Sequence, residues 1–338
     1  MKKLTLDDVK SILNSPKNVV IVPHTNPDGD AIGSSLGLYH FLTLKGHKVS
    51  LVAPNDYPEF LKWMPGTSEV LIFEQEPNKT TALIDTADII FTLDFNALHR
   101  SGSLQQILEQ NDSLKIMIDH HQQPEDYAHY MFSDVNMSST SEMVYHFIDQ
   151  LGDLDLMNAT IGTALYTGIM TDTASFRFPL TTSATHRLVA HLKDLGVNHS
   201  DIHNKVYDTN RYERTKLLGI ALNNLSVLSE YNAAYITLSQ EELDYCNHQK
   251  GDTEGIVNYG LSVEGVVLAA IFIEKKSEGI IKISLRSKGD FDVNRLAREH
   301  FEGGGHKNAA GGKSDLSLKD TVTKFETLVE SYKSQLTA

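Results

Sequence analysis

The sequence predicts an α/β protein with two parts: an N-terminal parallel sheet flanked by helices, and a smaller α/β domain that follows it. Three observations predict this fold. In the first half, short apolar segments that suit buried strands alternate with segments of helical composition, which is typical of parallel β-α-β units. Three of these apolar segments end at or next to an Asp or a His. The second half holds another group of strand-like segments before a final helix.

The overall composition and charge limit the kinds of binding partner and the cellular location that we expect. The chain has 338 residues, 41% apolar and 22% charged, with a net charge of −14. This charge argues against binding to duplex DNA or to an anionic membrane, both of which need a basic face. It allows small phosphorylated substrates, because bound divalent cations can reverse the local field. The single Cys246 and a polar N-terminus without a signal peptide core predict a cytoplasmic protein.

The elements of the first half follow from periodicity and apolar content. Residues 5–14 carry apolar side chains at helical spacing, and residues 18–22 and 114–118 are mostly apolar segments that suit buried strands. Small residues early in the helix predicted over 31–44 are expected to let it approach the neighbouring strand closely. The predicted elements are helix 5–14, strand 18–22, helix 31–44, strands 48–53, 88–93 and 114–118, and helices 139–151, 159–170 and 182–195.

The turn after the first strand carries the first candidate metal ligands. His24, Asp28 and Asp30 follow the pattern His-x3-Asp-x-Asp. Asp and Gly are common in turns, and one Asp could cap the next helix, so an ordinary capped turn is the simpler interpretation. However, two carboxylates this close repel one another unless a cation lies between them. Imidazole with carboxylates suits manganese, zinc or iron better than calcium.

Further acidic and imidazole residues follow in similar positions. Asp94 ends the strand 88–93, where a capping role alone would explain it. The strand 114–118 ends in Asp119-His120-His121, and ligands of open α/β sheets lie just beyond such strand ends. Asp172 follows the helix 159–170, where it could simply face water. The helix dipole disfavours a carboxylate there, and a metal ion would offset that.

The second half is predicted to form a separate domain. We assign residues 1–196 to the first domain, 197–214 to a polar helical linker and 215–338 to the second domain. The second domain is predicted to contain helix 215–228, strands 233–238, 266–273 and 280–285, and a final helix 319–332.

Basic residues cluster between positions 286 and 307 of this otherwise acidic chain. Lys288 and Arg298 fit a solvated basic face, and the run Gly303-Gly304-Gly305 could be a flexible turn. The functional interpretation is a glycine loop whose backbone N–H groups donate to a bound phosphate, with Arg286 and His306 as additional charged donors. The candidate phosphate-binding residues are Arg286, Asn294, Gly304, Gly305 and His306, with Asn258 as a weaker candidate.

Together, these motifs match those of a known family. The motifs are His24-x3-Asp28-x-Asp30, Asp94, Asp119-His120-His121 and Asp172, accompanied by residues 138–142 and 166–173. Their order and their strand-end settings resemble the DHH phosphoesterase superfamily. Gly303-Gly304-Gly305-His306, followed by Ala309-Ala310-Gly311, resembles the substrate-binding domain associated with it. The resemblance covers nearly the whole chain, and the two compact domains are most similar to the branch of nanoRNases and pAp phosphatases. The segment Phe95-Asn96-Ala97-Leu98-His99-Arg100 departs from many relatives, which puts the detailed substrate preference in question.

The resemblance implies a two-metal site and roles for its residues. It implies two Mn²⁺ ions, with Mg²⁺ or Co²⁺ as substitutes. His121 would contact the scissile phosphate or the leaving oxygen, and Asp119 would orient His120 or an adjoining ligand. The implied ligands are His24, Asp28 and Asp94 for one metal, and Asp30, Asp94, His120 and Asp172 for the other, with Asp94 as the bridge; the implied catalytic residues are Asp119, His120 and His121.

The implied activity is hydrolysis of short 5′-phosphorylated oligoribonucleotides, such as pApA, to mononucleotides, and of pAp to AMP and phosphate. A cyclic dinucleotide phosphodiesterase and a RecJ-like single-strand exonuclease are alternatives on the same site. A nucleotide sensor without catalysis is a more distant alternative. The expected partners are short RNA and nucleotides, with no duplex DNA and no membrane, and a homodimer is compatible with the sequence.

Overall fold

The computed structural model describes residues 2–337, which divide between Thr209 and Asn210 into two compact units. The first unit contains a sheet of six strands, all parallel, in the order β3-β2-β1-β4-β5-β6. The strands are β1 Asn18–Pro23, β2 Lys48–Ala53, β3 Val70–Ile72, β4 Ile89–Leu93, β5 Leu114–Asp119 and β6 Tyr130–Ser133. The short edge strands β3 and β6 were not among the predicted elements.

Helices cover both faces of this sheet. Val19 and Ile21 of β1 belong to one apolar core, and Val20 and Val22 belong to another on the opposite face. Side chains alternate along a strand, so a strand buried on both faces reads as one apolar run. The helices are α1 Leu6–Ile12, α2 Gly29–Leu44, α3 Pro77–Asp85, α4 Gln105–Gln110, α5 Thr140–Leu151, α6 Ala159–Asp172, α7 Ser183–Asp194 and α8 His199–Tyr207. Short 3₁₀ helices span Glu59–Leu61, Thr67–Glu69, Leu98–Leu104 and Leu154–Leu156.

The small residues of α2 serve a helix contact. A Cβ atom added to Gly33 would lie 2.6 Å from the Ala164 carbonyl oxygen and 2.8 Å from the Gly168 nitrogen, both in α6. The expected close approach therefore occurs between α2 and α6, and the prediction that it would involve the neighbouring strand was wrong. Only glycine leaves enough room for these two helix backbones.

The second unit contains a mixed sheet in the order β11-β12-β10-β9-β8-β7, in which only β8 and β9 pair in parallel. Its strands are β7 Ser226–Leu228, β8 Ala233–Leu238, β9 Leu268–Lys275, β10 Ile280–Ser287, β11 Gly304–His306 and β12 Ala309–Ser314. Its helices are α9 Tyr212–Asn223, α10 Gln240–Tyr245, α11 Val257–Leu261, α12 Val293–His300, α13 Leu318–Ser331 and α14 Lys333–Leu336, with a 3₁₀ helix at Ser229–Tyr231.

Two sequence predictions in this region were wrong. The helix predicted over 215–228 is α9, which ends at Asn223, and β7 follows it. The next residue, Asn224, donates side-chain hydrogen bonds to the Thr237 carbonyl and to Glu242, so it is tied to the sheet. The glycine loop predicted at 303–305 is largely strand β11, because Gly304–His306 pairs antiparallel with 309–311 of β12.

The segment predicted as a linker, residues 197–214, contains α8. Ile202 and Val206 of this helix are buried in the core of the first unit. Within residues 2–337, no helix combines the length and the apolar character needed to cross a membrane.

Candidate metal centre

The sheet of the first unit brings the predicted metal ligands to one edge. His24 directly follows β1, Asp94 follows β4, and His120 follows β5. The chain leaves β1 and β4 in opposite directions across the sheet, so the crevice between them is the switch point where open α/β sheets bind ligands. Asp30 lies in the first turn of α2, and Asp172 ends α6.

His24, Asp28 and Asp94 form the first cluster. The His24 Nε2 atom lies 3.4 Å from Asp94 Oδ2 and 3.9 Å from Asp28 Oδ1. The Nδ1–H of His24 donates to the Thr25 carbonyl at 2.7 Å, which assigns Nε2 as the ligand atom. Asp28 also caps α2, because its Oδ1 accepts from the N–H groups of Asp30 and Ala31. The capping and ligand interpretations of Asp28 are therefore compatible.

Asp30, His120 and Asp172 form the second cluster. The His120 Nε2 atom lies 3.5 Å from Asp172 Oδ2 and 3.9 Å from Asp30 Oδ2. It also lies 3.6 Å from Asp94 Oδ1, whereas the other oxygen of Asp94 faces His24. The two oxygens of Asp94 thus face one cluster each, which is the placement that a bridging carboxylate needs.

The N-terminus of α5 holds two of these carboxylates. The backbone N–H groups of Thr140 and Ser141 donate to the two oxygens of Asp30 at 2.6 and 2.9 Å. The Thr140 hydroxyl donates to Asp94 Oδ1 at 2.9 Å. The positive end of a helix dipole stabilises such carboxylates. Sequence reasoning assigned no site role to Thr140 or Ser141, although the capping residue Ser139 signals a helix start there.

Asp119 orients His121. It is fully buried, its Oδ1 accepts from the Nδ1–H of His121 at 2.7 Å, and its Oδ2 accepts from the backbone N–H of His121 at 3.1 Å. The Nδ1–H of His120 instead donates to the Met137 carbonyl at 3.1 Å. The histidine bonded to Asp119 is therefore His121, which the sequence analysis did not assign as a metal ligand.

Crowding of charge shifts the pKa values of the cluster. Burial alone would lower the pKa of His24, but hydrogen bonds to Asp28 and Asp94 outweigh it and raise that pKa to about 10. Burial is likewise outweighed at His120, where Asp172, Asp94 and Asp30 raise the pKa to about 9. Burial, together with repulsion from Asp28 and Asp94, raises the pKa of Asp172 to about 6.

The cluster fits divalent cations because of its donor chemistry. Asp30, Asp94 and His120 are almost completely buried, and burial and repulsion raise the pKa of Asp30 well above its usual range. The imidazoles of His24, His120 and His121 are outnumbered by the five carboxylates around them. Such a largely buried group needs positive charge, which protons or metal ions can supply. Mixed imidazole and carboxylate ligands suit first-row divalent metals.

In the second unit, the predicted phosphate-binding residues lie around β10, β11 and α12. Arg286 is on β10, where its Nη1–H donates to the Leu285 carbonyl at 2.9 Å. Asn294 is buried in α12, and its Oδ1 accepts from the N–H of Gly305 at 2.9 Å. That N–H is thus already engaged within the unit. Asn258 lies in α11.

The two residues assigned to a solvated basic face differ. Lys288 is exposed, as predicted. Arg298 is also exposed, as predicted, and in addition its Nε–H donates to Asn294 Oδ1 at 3.1 Å. The i to i+4 spacing on α12 brings the two side chains together.

Comparisons with known proteins agree with this architecture. The model of the DHH family, N-terminal domain, matches residues 18–169, and the model of the DHHA1 domain matches residues 217–337. The bifunctional oligoribonuclease and PAP phosphatase NrnA of Thermus thermophilus is 31% identical over 322 residues, which cover 94% of this chain and 90% of the relative. The protein of the same name in Bacillus subtilis is 28% identical, covering 90% of this chain and 94% of the relative.

A solved structure extends the similarity to the whole fold. The exopolyphosphatase-related protein from Bacteroides fragilis shares 40% sequence identity and superimposes with a TM-score of 0.94, covering 98% of this chain and 97% of that one. The predicted fold class and the predicted resemblance are both confirmed. The chain belongs to the DHH family, with a DHHA1 domain following its DHH domain.

Proposed function

We propose that the protein is a divalent-metal-dependent phosphoesterase that hydrolyses short 5′-phosphorylated oligoribonucleotides, including pApA, and converts pAp to AMP and phosphate. The observation that carries this proposal is the buried cluster centred on Asp94, whose two oxygens face two separate imidazole groups. Full-length similarity to two proteins named as bifunctional oligoribonuclease and PAP phosphatase supports the choice of substrate.

We assign the metal ligands as the sequence predicted them. One cation would be held by His24, Asp28 and Asp94, and the other by Asp30, Asp94, His120 and Asp172. Bound there, the cations would supply Lewis acidity and lower the pKa of water, and Mn²⁺ is our first choice. The N-terminus of α5 keeps Asp30 and Asp94 in position through its N–H groups and the Thr140 hydroxyl.

His121 is assigned to the proton transfer at the leaving oxygen. Its Nδ1–H is committed to Asp119, so any contact with a substrate oxygen must use Nε2. The buried Asp119 carboxylate fixes the ring orientation and the tautomer, and it stabilises the imidazolium when Nε2 carries a proton. Protonated Nε2 can then donate to the oxygen that leaves phosphorus, while one water is consumed for each bond cleaved.

The second unit is assigned to recognition of a substrate phosphate. The candidates for direct contact are Arg286, Gly304 and His306. The N–H of Gly305 is already bonded to Asn294 Oδ1, so these two residues would shape the site. The β11–β12 hairpin and α12 bring the glycine strand and Asn294 together, which supports a common role. The proposed partners are short RNA and nucleotides.

The test is product chromatography after incubation of the purified protein with Mn²⁺ and pApA, alongside the Asp119→Ala variant. We expect AMP from the wild type and none from the variant, and we expect pAp to yield AMP and phosphate. Cleavage of cyclic di-AMP or of long single strands in preference to pApA would favour the alternative substrates. Binding of pApA without any turnover would contradict the enzymatic proposal and support the sensor.

A further inference from the structure

One buried side chain in the second unit connects the glycine strand to an arginine. Asn294 is 4% exposed, and its Oδ1 accepts two hydrogen bonds, from the N–H of Gly305 at 2.9 Å and from the Nε–H of Arg298 at 3.1 Å. The amide therefore fixes the guanidinium relative to β11. Buried polar atoms that are fully hydrogen-bonded hold such arrangements rigidly.

The guanidinium of Arg298 lies beside Gly304. A Cβ atom added to Gly304 would lie 3.7 Å from Arg298 Nε and 3.9 Å from its Nη2. This is ordinary contact distance, so an alanine would fit there, but its methyl group would cover part of the guanidinium. Glycine at this position leaves that face of the arginine open to a ligand.

The charge of Arg298 is not neutralised by a carboxylate. Its neighbour Arg295, on the same helix, is bound at 2.7 Å by Glu299, and Lys307 is bound at 2.7 Å by Asp290. Among residues 2–337, no Asp or Glu oxygen forms an ion pair with Arg298. In a protein of net charge −14, an arginine held in place by its Nε and lacking an acidic partner is suited to an external anion.

We propose that Arg298 is the specificity-determining residue that recognises the terminal phosphate monoester of the substrate. In this proposal Asn294 positions Arg298, whereas the sequence analysis offered Asn294 as a direct contact to the substrate. With Nε committed to Asn294, the two Nη groups can donate to phosphate oxygens. A terminal monoester carries up to two charges and an internal diester carries one, so Arg298 favours end-phosphorylated substrates. This proposal rests on the proposed function and deepens it.

The first experiment compares kcat/KM for pApA with kcat/KM for ApA, which lacks the 5′-phosphate. We expect Arg298→Gln to reduce the ratio of the two values by about 10- to 100-fold, the usual effect of losing a hydrogen bond to a charged group. Arg295→Gln is the matched control, since it removes the same charge from the same helix, and it should leave the ratio unchanged. Arg298→Lys should restore only part of the preference, because lysine keeps the charge but lacks the planar fork.

The second experiment separates this inference from the proposed function. Binding of AMP and of adenosine is measured by calorimetry on the full-length protein carrying Asp119→Ala. Adding Arg298→Gln should weaken binding of AMP and leave adenosine unchanged, and Gly304→Ala should act in the same direction. If neither pApA nor pAp is hydrolysed but this difference persists, the proposed function fails while the inference holds. The inference would be overturned if Arg298→Gln weakened the binding of AMP and of adenosine equally. It would also be overturned if Arg295→Gln weakened AMP binding as much as Arg298→Gln does.

Discussion

Gly168 is the position where one added methyl group should most clearly disturb the metal centre. It lies in α6 where this helix meets the N-termini of α2 and α5. A Cβ atom at Gly168 would lie 1.9 Å from the Ser141 hydroxyl oxygen and 2.8 Å from Asp30 Oδ1. Both distances are shorter than real contacts, so Gly168→Ala must displace Ser141, Asp30 or α6 itself.

The expected cost follows from three terms. In an unconstrained helix, Gly→Ala would stabilise by about 1 kcal/mol. Overpacking a buried site costs about 1–3 kcal/mol. Moving Asp30 away from the N–H groups of Thr140 and Ser141 weakens hydrogen bonds to a charged group, each worth about 1.5–3 kcal/mol. We expect Gly168→Ala to lower the free energy of unfolding by about 2–4 kcal/mol and to weaken Mn²⁺ binding.

The assay is denaturant unfolding in EDTA, followed by fluorescence. The single tryptophan, Trp63, lies in the first unit, so its fluorescence reports on that unit. The matched control is Gly219→Ala in α9, where nothing lies within 4 Å of an added Cβ. The control should leave the Trp63 transition unchanged and stabilise the second unit by about 0.5–1 kcal/mol. A Gly168→Ala protein with wild-type stability and wild-type Mn²⁺ affinity, measured by calorimetry, would refute the reasoning.

Three further predictions concern the same cluster. Thr140→Val removes the hydroxyl that donates to Asp94, and it should lower the free energy of unfolding in EDTA by about 1.5–3 kcal/mol. An unchanged midpoint of denaturant unfolding would show that this hydrogen bond does not stabilise the fold. The folded-state pKa values of His24 and His120, about 10 and about 9, exceed the ordinary value of 6.5. The contribution of these two protonated histidines to the free energy of unfolding is therefore complete below pH 6.5 and is lost as the pH rises to 10. The loss is at most about 1.4 kcal/mol per pH unit for each histidine. In thermal melts at increasing pH, saturating Mn²⁺ should reduce this fall in stability. Asp119→Asn should lower kcat by about 10²- to 10⁴-fold with an unchanged circular dichroism spectrum, and near-normal kcat would remove Asp119 from the mechanism.

Several features of the fold could not be predicted from local sequence. Strands β3 and β6 have only three and four residues, too few for a recognisable pattern, and they form because an adjacent strand offers its backbone. Helix α9 ends where Asn224 bonds the Thr237 carbonyl, a partner 13 residues away. The helix α8 belongs to the first unit because Ile202 and Val206 find its core, whereas its polar composition suggested a linker.

The sequence by itself determined the central strands, because local apolar segments reveal them. It also determined that acidic and imidazole residues lie at the ends of these strands, and their side-chain chemistry makes them candidate ligands. Only the tertiary structure decided how these groups are held. Thr140 reaches Asp94 across 46 residues, and its N–H reaches Asp30 across 110. Likewise, Arg298 acquires its setting only when Asn294 meets Gly305 of the hairpin. Such contacts depend on the packing of distant segments, which no local pattern encodes.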